Sequence, residues 1–134
     1  MSCIFADTSF YVALANSKDS LHDIAVCASN QWDGKVVTSE YILLELGNYL
    51  HNLKDRKVFL DLLQAIHEDE DTQVIPASTP LLEKGISMYA NRPDKEWSLT
   101  DCISFVIMAE QGISEALAAD HHFEQAGYRI LLSV

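Results

Sequence analysis

The amino-acid sequence predicts an α/β fold in which a parallel sheet carries helices on both faces. Short apolar runs alternate with longer segments of helical periodicity, which is typical of strand–helix–strand units. A length of 134 residues, with 49% hydrophobic and 22% charged residues, suits a single compact domain. No internal repeat or low-complexity linker divides the chain. We therefore expect one domain over residues 1–134.

Five segments are expected to form the strands of this sheet. The first, Cys3–Ala6, is a short apolar run that ends directly before Asp7. A turn at Asp33-Gly34 precedes the second strand, and Pro76 suits the end of the third. The other four strands are predicted at Val36–Val37, Gln73–Pro76, Ala116–Ala119 and Arg129–Leu132.

Helix signals fill the segments between the strands. Thr38 or Ser39 can cap the helix that follows the second strand, and Pro80 and Ser98 suit later helix starts. In the fourth helix, apolar residues recur at helical spacing. The predicted helices are Thr8–Ala15, Leu21–Trp32, Glu40–Leu53, Arg56–His67, Thr79–Tyr89, Ser98–Gly112 and a short one that contains Glu124–Ala126.

The charge balance is strongly acidic, since 20 acidic against 9 basic residues give a formal net charge of −11. Proteins that bind nucleic acid by counterion release usually carry a basic face. Solubility is the simplest meaning of the acidic excess, and a basic protein partner or bound metal would offset part of it. The three cysteines lack CxxC spacing, the N-terminus lacks a basic leader, and no uncharged stretch approaches the ~20 residues of a membrane span. We therefore expect a cytoplasmic protein that contacts no membrane.

Two aspartates follow predicted strands. Asp7 comes after the first strand and Asp120 after the fourth. The carboxyl ends of parallel strands meet at one edge of a sheet, where ligands bind, so both side chains should emerge there. Each aspartate could equally be an ordinary helix N-cap.

Two further acids lie within the first turns of predicted helices. Glu45 lies inside the apolar run Ile42–Leu46, where a metal partner explains a carboxylate better than a position at the helix edge. Asp101 fits a capping box with Ser98, which would account for it alone. Convergent carboxylates also suit Mg²⁺ or Mn²⁺, ions that activate water and offset charge on a phosphate.

The order and spacing of four motifs resemble PIN-domain ribonucleases, most closely the small VapC-type toxins of bacterial toxin–antitoxin pairs. The resemblance covers essentially the whole chain. The motifs are Phe5-Ala-Asp7-Thr8-Ser9, Ser39-Glu-Tyr-Ile-Leu-Leu-Glu45, Trp97-Ser-Leu-Thr-Asp101-Cys and Asp120-His-His-Phe123-Glu-Gln-Ala-Gly127-Tyr.

This resemblance implies a single PIN-like nuclease domain, folded as a three-layer α/β/α sandwich around four to five parallel strands. It implies an endoribonuclease that uses Mg²⁺ or Mn²⁺ to cut single-stranded or structured RNA, with a homodimer and an antitoxin as expected assemblies. The implied catalytic and metal-binding residues are Asp7, Glu45, Asp101 and Asp120. Thr8 and Thr100 adjoin two of these acids and could orient them or a water. Arg92 and Lys95, with Lys54, Arg56 and Lys57, are candidates for RNA contact.

Other residues and functions are weighed against this hypothesis. His121 and His122 are expected to face solvent or cap a short helix rather than bind a transition metal. Trp97, Tyr11 and Cys102 are expected to pack rather than to stack on bases or act as a nucleophile. The alternative function is a PIN-like module that binds RNA or protein without cleavage. A covalent phosphatase is disfavoured because Ser9 stands where such enzymes carry a second aspartate.

Overall fold

Five parallel strands form one sheet in the order β3-β2-β1-β4-β5 in the computed structural model, which describes residues 2–133. The α/β prediction is therefore confirmed, with seven helices flanking the sheet between these residues. The strands are β1 (Cys3–Ala6), β2 (Lys35–Ser39), β3 (Thr72–Ile75), β4 (Glu115–Leu117) and β5 (Arg129–Ile130). The helices are α1 (Thr8–Ala15), α2 (His22–Gln31), α3 (Glu40–Tyr49), α4 (Arg56–Glu68), α5 (Thr79–Asn91), α6 (Leu99–Gln111) and α7 (His121–Gln125).

Strand β1 is the centre of the sheet. Phe5 pairs with Val37 of β2 on one side and with Ala116 of β4 on the other. The chain builds outward from β1 to β2 and β3, and then returns to place β4 on the opposite side. This reversal creates a crevice outside the carboxyl ends of β1 and β4, where ligands bind in open α/β sheets.

Three aromatic residues connect the sheet to the last two helices. Phe5, Phe105 and Phe123 are almost fully buried. The rings of Phe105 and Phe123 meet edge to face with centroids 5.0 Å apart, and Phe5 lies 6.4 Å from Phe123. Edge-to-face contacts of this kind add to the stabilisation from burial. Helix α7, although only five residues long, is therefore anchored in the core.

Helices α5 and α6 pack very closely at Gly85. A Cβ atom at this position would lie 2.3 Å from Cγ1 of Ile103. Glycine is required here by space rather than by backbone conformation, because the residue lies in the middle of α5 with an ordinary helical backbone.

Several predicted boundaries were wrong. Helix α3 ends at Tyr49 rather than at Leu53, because the carbonyl of Asn52 accepts from the N–H groups of Asp55 and Arg56 in a separate turn. Strand β4 ends at Leu117, since its partner in β1 is Ala6, the last residue of that strand. Asp120 thus comes three residues after β4 instead of directly after it.

The C-terminal elements also differ from the prediction. Helix α7 contains Glu124 as predicted but ends at Gln125, with Ala126 as its C-cap, and β5 ends at Ile130 instead of Leu132. The remaining helices and strands match their predicted positions to within two residues. Within residues 2–133, no helix combines the length and apolar composition needed to cross a bilayer.

Candidate active site

A cleft of about 430 Å³ opens at the carboxyl ends of β1 and β4. All four acids predicted from the sequence line it, although they come from four different parts of the chain. Among residues 2–133, its walls include no lysine or arginine. The six carboxylates that line it are Asp7, Asp19, Glu45, Glu96, Asp101 and Asp120.

Asp7 lies at the floor of the cleft and is 7% exposed. Its backbone N–H donates to the carbonyl of Leu117 at 3.1 Å, which fixes it at the β1–β4 boundary. Its Oδ2 accepts from the Ser9 hydroxyl at 2.9 Å and from the Ser9 N–H at 3.4 Å. Burial raises the pKa of Asp7 to about 6, and the nearby charges of Asp101 and Glu45 add to the effect.

Glu45 reaches the cleft from the middle of α3. The Thr8 hydroxyl donates to its Oε1 and so connects the start of α1 to α3. The helix around it is less buried than expected from its sequence, because the neighbouring Leu44 is 64% exposed. Helix α3 therefore has a solvent-exposed face at Leu44, and Glu45 lies next to it, in the wall of the cleft.

Asp101 and Asp120 both fulfil the capping roles that would explain them locally. Asp101 forms a complete capping box, in which its N–H donates to Ser98 Oγ at 3.0 Å and its Oδ2 accepts from the Ser98 N–H at 3.1 Å. Asp120 Oδ1 accepts from the N–H of His122 at 2.9 Å and caps α7. Both capping residues also line the same cleft. Each aspartate therefore caps its helix and lies beside the other acids at the same time.

Three of these acids are held by one oxygen and leave the other free. Asp7 Oδ1, Glu45 Oε2 and Asp101 Oδ1 have no hydrogen-bond partner among residues 2–133. Cleft-lining carboxylate oxygens without a cationic neighbour suit a hard divalent cation, which prefers oxygen ligands.

His122 is a component of the cleft that the sequence interpretation missed. Its Nδ1 lies 3.1 Å from Asp101 Oδ2 and 3.2 Å from Asp120 Oδ2, and its side chain is 20% exposed. The expectation that it faces solvent or only caps a helix was therefore wrong. His121, by contrast, faces solvent as expected, with a side chain that is 70% exposed. The ligand-type atoms of Asp120, His121 and His122 lie within 4.8 Å of one another.

Ser9, Asp19 and Glu96 also belong to the cleft and were not predicted. Asp19 Oδ1 accepts from the N–H of Leu21 at 2.8 Å, so a turn residue is held at the cleft rim. The short spacing from Asp7 to Ser9 could have revealed the Ser9 contact. No sequence pattern indicated that His122 would meet Asp101, 21 residues earlier.

Comparison with known proteins identifies this architecture. Residues 4–127 match the PIN domain family. The chain belongs to this family. The predicted resemblance to PIN-domain nucleases is thereby confirmed, as is the prediction of a phosphodiester-cleaving hydrolase.

Relatives and solved structures agree with this PIN assignment. The chain is 30% identical over 128 residues to the 23S rRNA-specific endonuclease VapC20 of Mycobacterium tuberculosis, covering 93% of this chain and 95% of the relative. The crystal structure of VapC20, described as a sarcin–ricin loop cleaving toxin, superposes with a TM-score of 0.86 at 29% identity, over 93% of this chain and 95% of VapC20.

Two more distant structures share the PIN fold alone. VapBC2 from Rickettsia felis, bound to a DNA fragment from its promoter, gives a TM-score of 0.65 at 10% identity, over 96% of each chain. FitAcB from Neisseria gonorrhoeae gives 0.69 at 16% identity, over 95% of each chain.

Three other predicted site residues lie outside the cleft of this PIN domain. Thr100 is half-buried in the first turn of α6 and does not line the cleft. Arg92 lies 4.9 Å from the centroid of the Trp97 ring, and two of its nitrogens donate to Asp94 at 3.0 and 3.1 Å. Lys95 is also absent from the cleft walls. Orientation of an acid by Thr100 and RNA contact by the two basic residues stay predictions.

The packing roles assigned to three other side chains are confirmed. Trp97 is 6% exposed, meets Phe105 edge to face at 5.0 Å and donates from Nε1 to Gln125. Tyr11 is 4% exposed and Cys102 is fully buried. Burial raises the pKa of the Cys102 thiol, which makes it a weaker nucleophile source.

Proposed function

We propose that this PIN domain is a metal-dependent endoribonuclease that hydrolyses RNA phosphodiester bonds with Mg²⁺ or Mn²⁺ at Asp7, Glu45, Asp101 and Asp120. One observation carries the proposal. Asp7, Glu45 and Asp101 line one cleft and are each held through one carboxylate oxygen, while the other oxygen has no hydrogen-bond partner and the walls contain no lysine or arginine among residues 2–133.

The donor set fits a hard divalent cation. It consists of carboxylates with hydroxyl and amide groups behind them, which is the chemistry that Mg²⁺ and Mn²⁺ select. Burial, with the charges of Asp101 and Glu45 adding to it, raises the pKa of Asp7 to about 6, so a bound cation would stabilise the ionised carboxylate there. When bound there, a divalent cation would supply a water of lowered pKa and offset the charge that builds on the phosphate.

The chain's own residues position this site. Ser9 holds Asp7 by Oδ2, Thr8 holds Glu45 by Oε1, and the Ser98 N–H holds Asp101 by Oδ2. Each contact restricts the carboxylate's rotation, so little ordering remains to be done when the site is filled. Such pre-orientation by surrounding hydrogen bonds supports both metal affinity and catalysis.

A structured RNA is the substrate class that we propose. The support is the similarity to VapC20, which is named for cleavage of 23S rRNA and of its sarcin–ricin loop. The acidic cleft offers no side-chain cation to the RNA backbone, so phosphate binding would depend on the metal and on basic groups nearby. Arg92 and Lys95 are the nearest candidates by sequence to the Asp101 segment, beside Trp97.

We also propose that the protein is the toxin of a toxin–antitoxin pair, is active in the cytoplasm and forms a homodimer. Protein partners would fit the apolar side chains exposed on α3, on α4 and in the segment between them. Leu44, Tyr49, Leu53 and Leu60 are 64%, 60%, 87% and 59% exposed, which is unusual for residues of this size.

The test is cleavage of a sarcin–ricin loop RNA and of a mixed RNA pool by purified protein, with Mn²⁺, with Mg²⁺ and with EDTA. Asp7→Asn and Asp101→Asn should abolish cleavage while the far-UV circular dichroism spectrum is retained. Asp61→Asn is the matched control, because Asp61 is an exposed acid on α4 paired with Lys57. It should cleave like the wild type.

Two outcomes would overturn the proposal. Cleavage that persists in EDTA or in Asp7→Asn would exclude the metal site. Stable RNA binding without products at any Mn²⁺ or Mg²⁺ concentration would favour the alternative, a PIN-like binding module.

A further inference from the structure

His122 is the one cleft side chain with a nitrogen donor within reach of two of the proposed metal-binding acids in residues 2–133. Its Nδ1 lies 3.1 Å from Asp101 Oδ2 and 3.2 Å from Asp120 Oδ2. The side chains of His122 and Asp101 are only 20% and 13% exposed, so the contact is shielded from bulk water. The two acids stand at the starts of different helices, α6 and α7.

The chemistry of the contact defines where the hydrogen lies. Ionised carboxylate oxygens only accept hydrogen bonds, so an Nδ1 that faces two of them must carry the hydrogen. Nδ1–H therefore donates to Asp101 Oδ2, and Asp120 Oδ2 lies 3.2 Å from the same nitrogen. The neutral ring with its hydrogen on Nδ1 and the fully protonated ring both provide this donor.

The contact completes the restraint on Asp101. Its Oδ2 also accepts from the Ser98 N–H at 3.1 Å, so this oxygen has two donors. Oδ1 is left without a hydrogen-bond partner among residues 2–133. His122 acts on Asp120 twice, through the ring and through its backbone N–H, which donates to Asp120 Oδ1 at 2.9 Å.

The core sets the position of the imidazole. The next residue, Phe123, is fully buried, with its ring 5.0 Å from Phe105 of α6. The same two helices are thus joined by an aromatic contact in the core and by the His122 contact at the cleft. His121, on the other side, is 70% exposed and reaches Asp120 only at 3.6 Å.

We propose that His122 is a positioning residue for the metal site: its Nδ1–H holds Asp101 and Asp120 in fixed relation and turns Asp101 Oδ1 toward the cleft. This inference rests on the proposed metal-dependent function and deepens it. It gives a role to the second histidine of the Asp-His-His-Phe segment that is separate from capping and from direct ligation.

The first experiment compares variants that keep, move or remove the donor. His122→Asn places an amide N–H close to the position of Nδ1, His122→Gln places it near Nε2, and His122→Phe keeps the ring without a donor. Mn²⁺ affinity is measured by titration calorimetry, together with the thermal midpoint and the rate of cleavage. His67→Phe, at an exposed histidine of α4 outside the cleft, is the matched control and should leave Mn²⁺ affinity unchanged.

Loss of an outer hydrogen bond to a metal-binding residue typically weakens metal affinity by about 10- to 100-fold. We expect a loss of this order in His122→Phe and His122→Gln, with rescue in His122→Asn and little change in thermal midpoint. Equal affinities in Asn and Phe variants, or wild-type affinity in all three, would overturn the inference. A purely structural role would lower the thermal midpoint without the rescue.

Two spectroscopic readouts separate this inference from its alternatives. Long-range ¹H–¹⁵N NMR of the metal-free protein should show His122 with hydrogen on Nδ1, and a bare Nδ1 would contradict the proposal. Electron spin-echo modulation of the Mn²⁺ form should lack the strong ¹⁴N coupling of a bound imidazole, since that coupling would mean direct ligation. The NMR result does not depend on cleavage. Failure of the nuclease proposal would be seen as no Mn²⁺ binding by the wild type. It can therefore be distinguished from failure of the His122 proposal, which the NMR result tests.

Discussion

The hydroxyl of Thr8 donates a hydrogen bond to Oε1 of Glu45, a residue 37 positions later in the chain. Thr8 is the first residue of α1, directly after Asp7, and Glu45 lies in the middle of α3. One contact thus orients Glu45 from the element that also carries Asp7. The orientation of the Glu45 carboxylate therefore depends on the position of the chain segment that holds Asp7.

Thr8→Val should reduce cleavage, because valine keeps the shape of threonine but cannot donate to Glu45. We expect a loss of about 10- to 100-fold, typical for removal of a hydrogen bond behind a metal-binding carboxylate. Thr8→Ser retains the hydroxyl and should stay close to wild type. The measurement is the cleavage rate as a function of Mn²⁺ concentration. Equal rates in the valine and serine variants would show that the hydroxyl has no role.

The stability of the metal-free protein should fall as pH rises toward and through about 6. The pKa of Asp7 is raised from 3.8 to about 6 by burial, so the folded protein binds this proton more tightly than the unfolded chain does. Well below pH 3.8 Asp7 is protonated in both states and its contribution to stability is fully present. Above the folded pKa, ionisation of the buried group costs about 3 kcal/mol, because each tenfold difference in proton affinity corresponds to about 1.4 kcal/mol.

Asp7→Asn isolates this effect, because asparagine never ionises. In urea unfolding without divalent cations, it should be more stable than wild type at pH 7 to 8 but not near pH 4. Added Mn²⁺ should raise the free energy of unfolding of the wild type and leave Asp7→Asn nearly unchanged. Asp61→Asn, at an exposed salt bridge on α4, should show neither behaviour. A parallel pH profile for the wild type and Asp7→Asn would contradict the assignment.

Gly85→Ala should destabilise the fold even though alanine favours helix more than glycine. The gain in helix propensity is about 1 kcal/mol, whereas the new Cβ would lie 2.3 Å from Ile103 Cγ1. Overpacking of this kind costs about 1–3 kcal/mol. Urea midpoints of Gly85→Ala, Ile103→Ala and the double variant provide the test. The double variant should be more stable than the sum of the single effects predicts, and strict additivity would argue against the clash.

Self-association should depend on the exposed leucines of the α3–α4 region. Leu53→Lys combined with Leu60→Lys should weaken a dimer by more than about tenfold, since full burial of a leucine is worth roughly 1.5–3 kcal/mol. Both side chains are exposed, at 87% and 59%, so the thermal midpoint should hardly change. Ile86→Lys on α5, where the side chain is 46% exposed, is the matched control. Light scattering after size exclusion gives the mass, and a monomeric wild type would refute the dimer prediction.

Much of the fold and of the candidate site could be predicted from the sequence because the signals were local. The capping box of Ser98 and Asp101 spans three residues, and the caps at Asp7 and Asp120 act over two. Alternation of apolar runs and amphipathic segments then indicated a parallel sheet, which brings strand ends to one edge. The ends of β4 and β5 could not be predicted, since a strand ends where its neighbour stops pairing, and the end of α3 depends on a separate turn at Asn52.

The sequence by itself determined the α/β class, the PIN resemblance and the local caps that involve Asp7, Asp101 and Asp120. Only the tertiary structure decided that Thr8 meets Glu45, that His122 meets Asp101 and Asp120, and that burial raises the pKa of Asp7. Capping depends on backbone geometry within one turn, which a few neighbouring residues specify. Contacts between residues 21 or 37 positions apart depend instead on how whole helices pack, and a pKa depends on everything that excludes water.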